Sequence, residues 1–158
     1  MRLTLREVTG KDMDLLFRWA NDPLTRQNAF QTEQIPYEIH RAWFVRVLAD
    51  RDVIMFVLCS ENPSCEIGQI RMSVEDYEEE KLALIDYSID PDMRGKGYGS
   101  KMILMAEERM RTERTDVVYC KAQVKYSNIA SAKVFERCGY DREDKDDYIE
   151  FSKRIRGI

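Results

Sequence analysis

"SIDPDMRGKGYGSKMILMAEE", residues 88–108, is the stretch that decides the fold. It leaves an apolar, strand-like segment (81–90), passes Pro91, and places Gly95, Gly97 and Gly99 at alternate positions. A long helix is then predicted over 98–114. A helix start exposes N–H groups with no intrahelical partner, at the positive end of the helix dipole. Glycine lets that backbone approach a ligand closely, and Arg94, Lys96 and Lys101 add positive charge. The loop therefore suits an anion such as phosphate. A tight strand-to-helix turn with incidental glycines is the competing reading. Two familiar phosphate loops are excluded. A dinucleotide fingerprint needs GxGxxG, but Met102 stands where its last glycine would be. A P-loop needs Gly-Lys-Ser/Thr, whereas here the order is Gly99-Ser100-Lys101.

Working outward, residues 2–8 read as a strand with Leu3 and Leu5 on one face. Thr9 and Asp12 resemble a capping box with Asp in place of Glu, opening a helix that stops near Pro23. Residues 24–35 read as a short helical turn and loop. Pro36 suits the start of a second helix carrying Ile39, Trp43 and Val47 at helical spacing. Residues 52–59 and 65–74 read as strands joined by SENPS, and EDYEEE (75–80) as a solvated hairpin end. A strand at 81–90, the helix at 98–114 and a strand at 116–124 follow. A helix at 128–138 ends at Gly139, and the last strand is 147–155. The predicted order is β-α-α-β-β-β-α-β-α-β, a mixed α/β (α+β) sheet with an antiparallel meander in its first half.

The 158 residues suit a single domain, 1–158. A net charge of −4 argues against a broad nucleic-acid footprint while leaving room for a local basic pocket. No apolar run approaches the ~20 residues that cross a bilayer, and the first residues lack a signal-peptide core. A cytoplasmic protein without nucleic-acid or membrane partners is the expectation. Cys59, Cys65, Cys120 and Cys138 form no CxxC pair, and His40 is the single histidine. Buried free thiols, rather than a metal site or disulfides, follow.

Residues 88–108 resemble the acyl-CoA pyrophosphate loop of the GNAT N-acetyltransferase superfamily. "VKYSNIASAKVFERCGY" (124–140) resembles that family's fifth strand, asparagine-initiated helix and terminal Gly-aromatic pair. The element order agrees as well, so the resemblance covers nearly the whole chain. It implies a mostly antiparallel sheet with splayed fourth and fifth strands, flanked by helices, and an acyltransferase using acetyl-CoA. It also implies that backbone N–H groups of Arg94, Gly95, Lys96, Gly97, Tyr98, Gly99 and Ser100 hold the pyrophosphate of coenzyme A. The pantetheine arm would lie beside Tyr87, Ser88 and Ile89, with Asn128, Ser131 and Phe135 on its other side. Asn128 is also a good helix N-cap in any protein.

Acetyl transfer to an amine requires removal of a proton from an ammonium of pKa near ~10. It also requires a donor for the developing oxyanion and, for the departing thiolate, a proton. The positions where many family members carry a base glutamate and an acid tyrosine hold Ala83 and Phe135 here. Asp86, His40 or a water chain remain as candidate bases, and Tyr87, Ser88 and Tyr126 as candidate proton donors. No cysteine role is needed.

"WANDPLTRQNAF" (19–30) and "IPYEIHRAWF" (35–44) resemble the acceptor side of a GNAT branch acting on nucleotide-linked amino sugars. Arg26, Asn28, Phe30 and His40 are its candidate contacts; Trp43 and Phe44 read more simply as core. The expected partner is a small-molecule amine, a nucleotide sugar, with the protein a monomer or homodimer. WANDP also resembles the ribosomal-protein N-terminal acetyltransferases. A CoA-binding module without turnover is the reading of a different class.

Overall fold

A computed structural model describes residues 2–157. Segments of alternating or continuous apolar character pair into one seven-stranded sheet: β1 (Arg2–Glu7), β2 (Val53–Glu61), β3 (Cys65–Tyr77), β4 (Glu80–Ile89), β5 (Val117–Val124), β6 (Asp141–Asp144) and β7 (Ile149–Arg154). Their spatial order is β1-β2-β3-β4-β5-β7-β6. All pairings are antiparallel except β4 with β5.

The helices are α1 (Met13–Ala20), α2 (Pro23–Asn28), α3 (Tyr37–Ala49), α4 (Tyr98–Glu113) and α5 (Ile129–Arg137). They cover the two faces because β2 is apolar on both. Met55 and Val57 pack against Leu16 and Trp19 of α1 and Phe44 and Val47 of α3. Phe56 and Leu58, pointing the other way, join a core with Met102, Ile103 and Ala106 of α4 and Ala132 and Phe135 of α5. Phe56, Leu58, Met102, Ile103 and Phe135, each fully buried, contribute about 1.5–3 kcal/mol apiece. The three-layer arrangement is therefore fixed mainly by this two-sided strand.

The expected cap before α1 is present. Thr9 N–H donates to Asp12 Oδ2 at 2.9 Å, and Thr9 Oγ1 accepts from Lys11 N–H at 3.3 Å. EDYEEE is the solvated hairpin end expected, with Glu75 to Glu79 exposed. Its strands reach further than expected: β3 runs through Tyr77 and β4 begins at Glu80, so Glu78 and Glu79 turn the chain. Lys81 holds Asp76 at 2.6 Å, and Lys121 lies 4.0 Å from the Tyr77 ring centre. The strand β6 was not expected at all, because Asp-Arg-Glu-Asp carries no apolar alternation. It is an edge strand on β7, and its charges suit an unpaired outer edge. Among the described residues, no helix is long and apolar enough to cross a membrane.

Candidate active site

The parallel ladder between β4 and β5 is short. It joins Lys81–Leu84 to Val117–Lys121 and then stops, although β4 continues to Ile89 and β5 to Val124. β5 is drawn away by β7, pairing from Tyr119↔Arg154 to Val124↔Ile149. The edge of β4 facing β5 is thus without a strand partner beyond Leu84. The expected splay is present. A cleft of about 1020 Å³ opens there, floored by residues of β3, β4 and β5 and walled by α3, α5 and the loop leading into α4.

The loop has the geometry of an anion cradle. Gly97 is the N-cap of α4, with φ +83° and no side chain capping the helix. Gly95 has φ +76°. A Cβ added at either would meet nothing within 4 Å, so open space lies against this backbone and both residues adopt a conformation that favours glycine. Gly99 differs: a Cβ there would sit 3.4 Å from Cε2 of Tyr87. The Ser100 hydroxyl is buried and unpartnered among the described residues. Asn128 caps α5, accepting from Ser131 N–H at 3.2 Å, and also lines the cleft. The loop thus fits a phosphate-bearing group, with its N–H groups rather than the Arg94 side chain available to it. The Arg94 guanidinium is turned toward α2, where it pairs with Asp22 and lies 3.4 Å from Thr25 Oγ1.

On the α3 side, β3 and β4 bring four polar side chains together. Gln69 Nε2 donates to Ser88 Oγ at 3.1 Å, and the register places Arg71 opposite Asp86, their charged ends 3.7 Å apart. The Arg71 guanidinium lies 5.1 Å from the Trp43 ring centre. Among the described residues, Asp86 is the single carboxylate of the cleft, against Arg26, Arg46, Arg71, Arg94 and Arg137. On the α5 side, the Tyr87 hydroxyl shares a hydrogen bond of 2.8 Å with Ser131 Oγ. Burial pushes the Tyr87 phenol up to about 12, against a smaller lowering by Ser131. Phe135 is core, with ring centres of Tyr87, Tyr140 and Phe151 at 5.8, 5.0 and 5.4 Å.

Four candidate residues receive other tasks. His40 is 3% exposed, and its Nε2 donates to the Met13 carbonyl at 3.2 Å, tying α3 to α1. Arg26 spends its guanidinium on the carbonyls of Ala20 (2.7 Å), Gln31 (3.0 Å) and Glu33 (3.4 Å), organising the loop after α2. Phe30 lies outside the cleft and packs edge-on to Tyr148 at 6.1 Å. Tyr126 also lies outside it, its hydroxyl donating to the Lys145 carbonyl. Asn28 lines the cleft; Lys96 is exposed on the loop. Trp43, expected in the core, is half-buried and lines the cleft, as do Arg46, Gln69 and Arg71, which sequence reasoning had not singled out. A basic residue in a strand carries no signal of what faces it, so only the fold reveals Arg71. The cysteines are free, none lines the cleft, and burial pushes Cys120 up to about 12. Among the described residues, no group of three metal-ligating side chains occurs.

Comparison with known proteins places this geometry in context. Residues 2–141 match the model of the acetyltransferase (GNAT) domain. An uncharacterized protein of Methanocaldococcus jannaschii is 22% identical over 148 residues; the match takes in 91% of this chain and 29% of that protein's length. The spermidine N-acetyltransferase of Vibrio cholerae, solved with CoA and spermine, superposes with a TM-score of 0.84 at 17% identity, covering 96% of this chain and 95% of that one. The aminoglycoside acetyltransferase AAC(6')-Ib, solved with ribostamycin and coenzyme A, gives 0.81 at 20% identity, covering 98% and 94%. At these identities the likeness to the two solved structures is one of fold.

Proposed function

The chain belongs to the acetyltransferase (GNAT) domain family, and on that premise we propose that it transfers an acetyl group from acetyl-CoA to the primary amine of a nucleotide-linked amino sugar. Acetyl-CoA, when bound, supplies a thioester carbonyl as the electrophile. The N–H groups of Gly95 to Ser100 hold its pyrophosphate, because they open α4 with no side-chain cap and with free space before them. The unpaired edge of β4 beyond Leu84 receives the pantetheine amides as a strand would, and an N–H of that edge steadies the carbonyl oxygen as charge develops.

Asp86 is the base of this reading, being the one carboxylate lining the cleft among the described residues. It takes the proton that the ammonium must lose before its nitrogen can attack. Tyr87 is the donor. Its phenol, held at about 12, stays protonated at neutral pH and can return a proton to the departing sulfur, with Ser131 fixing its direction. His40 serves the scaffold: its ring packs with Phe17, Trp43 and Phe44, and so seats Trp43 on the cleft wall.

The observation that supports the acceptor is charge. Five arginines and one aspartate line the cleft, so a polyamine or an aminoglycoside, each a polycation, meets net repulsion there. An acceptor that carries phosphate as well as an amine meets attraction. A screen with acetyl-CoA tests this, comparing a UDP-linked amino sugar, spermidine, kanamycin and peptide N-termini by kcat/KM. The sugar nucleotide should lead. A polyamine, aminoglycoside or peptide in the lead overturns the acceptor assignment. Thioester hydrolysis that no amine accelerates would leave a CoA-binding module without transfer.

A further inference from the structure

Which residues meet the acceptor's phosphates is decided by which arginines are free to do so. Arg26 is held back: its Nε and Nη1 donate to the Ala20, Gln31 and Glu33 carbonyls, which fixes the guanidinium in the loop after α2. Arg94 is paired with Asp22. Arg137 lines the cleft from the last turn of α5, away from the α3 wall. The α3 wall itself presents Ile39, Trp43 and Arg46 to the cleft at spacings of four and three residues, one face of the helix. Ile39 is 63% exposed, an apolar side chain left at the mouth of a cleft. Arg46 is exposed and makes no ion pair among the described residues. Below them, Arg71 lies against the Trp43 ring. At 3.7 Å its approach to Asp86 is longer than a hydrogen bond, so its fork is not consumed.

We infer that Arg46 and Arg71, flanking Trp43, bind the acceptor's diphosphate and set its specificity, while Trp43 and Ile39 offer an apolar surface to the attached rings. Planar guanidinium groups match phosphate oxygens bidentately, and an aromatic ring beside them suits a base or sugar face. The arrangement places the phosphates on the α3 side of Asp86, so the sugar amine reaches the carboxylate on the floor. This inference rests on the sugar-nucleotide reading above and moves its phosphate contact from the loop after α2 to α3 and β3.

Two measurements on the full chain test it. The protein is first saturated with CoA, so that the CoA site is filled, and titrated with UDP as the probe, followed calorimetrically. The wild type should bind UDP. Arg46→Ala, an exposed helical position that leaves the circular dichroism spectrum native, should weaken that binding at least tenfold, and Arg46→Lys should fall between. In turnover, Arg46→Ala should lower the ratio of kcat/KM for the UDP-linked amino sugar over the free amino sugar at least tenfold, through KM rather than kcat. If UDP binds the wild type and both Arg46 variants equally, the residue assignment is overturned while the sugar-nucleotide acceptor stands. If UDP fails to bind the CoA-saturated wild type and no sugar nucleotide is acetylated, the acceptor reading falls and this inference with it.

Discussion

His40 shows how a lone histidine can look catalytic and be structural. Its ring is buried among Phe17, Trp43 and Phe44, and burial holds its pKa below the ordinary value, against the raising effects of the Met13 carbonyl and Asp14. An unfolded imidazole takes a proton near ~6.5, whereas the folded one resists. The stability tied to this ring is therefore complete above that pH and is lost as pH falls through the lower folded value. Urea midpoints measured from pH 7 to pH 5 should decline for the wild type and decline less for His40→Gln, which keeps a donor for Met13; parallel declines would contradict this. Two tyrosines separate in the same way. Tyr87→Phe removes a buried, oriented donor and should lower kcat by roughly 10²-fold, in the range general acids supply, with CoA affinity within about threefold. Tyr126→Phe should leave kcat near the wild-type value, since its hydroxyl is spent on Lys145 outside the cleft. Equal losses in the two variants would sink the assignment of Tyr87. Residue type and spacing put the glycine loop on the page from sequence, whereas Asp86 and Tyr87 entered only through the family resemblance, beside His40, Ser88 and Tyr126. Sequence was silent on which donors are already engaged, because Arg26 is tied to carbonyls that only the fold brings near, while Arg46 is not.

Between elements, the loop that opens α4 is tied to the acceptor helices by two contacts. Trp19 Nε1 of α1 donates to Asp90 Oδ2 at 2.8 Å, and Asp22 at the N-cap of α2 pairs with Arg94. Asp90 also caps the short turn over Pro91–Met93, so movement of α1 or α2 reaches the backbone of the cradle. Asp22→Asn and Arg94→Gln should each weaken CoA binding. A double-mutant cycle on CoA affinity should give a coupling of about 1 kcal/mol or more, whereas strict additivity would show that the pair is incidental. The cradle itself is tested by Gly97→Val. A β-branched side chain at φ +83° is strained and fills the space before the N–H groups, so CoA affinity should fall well over tenfold, more than ~1.4 kcal/mol. Unchanged affinity in a folded variant would contradict the cradle. Elements with apolar periodicity were legible from sequence, as were the cap at Thr9 and the splay implied by the family resemblance. The strand β6 and the tail of β3 were not, since backbone pairing at a charged edge leaves no hydrophobic pattern to read.

At the scale of the molecule, the sheet does two jobs with one irregularity. Antiparallel pairing from β1 to β4 builds a platform around the two-sided strand β2, and β7 draws β5 off β4 beyond Leu84, leaving a strand edge and a cleft where a continuous sheet would have none. Overall charge is −4 while the cleft is rich in arginine, so attraction for an anionic acceptor is local and salt-sensitive. KM for a sugar nucleotide should rise severalfold as salt increases from about 0.05 to 0.5 M, where screening shortens to a few ångströms, and KM for a neutral amine should change little. Equal responses would argue against electrostatic recognition. The central claim is that acyl-CoA lies between the splayed strands with its pyrophosphate on the start of α4. Hydrogen–deuterium exchange with and without acetyl-CoA reads this directly. The account predicts slower exchange, by tenfold or more, at amides of residues 85–89 that point away from β3 and at Gly95 to Ser100. Protection confined to other surfaces, or none at saturating acetyl-CoA, would contradict it.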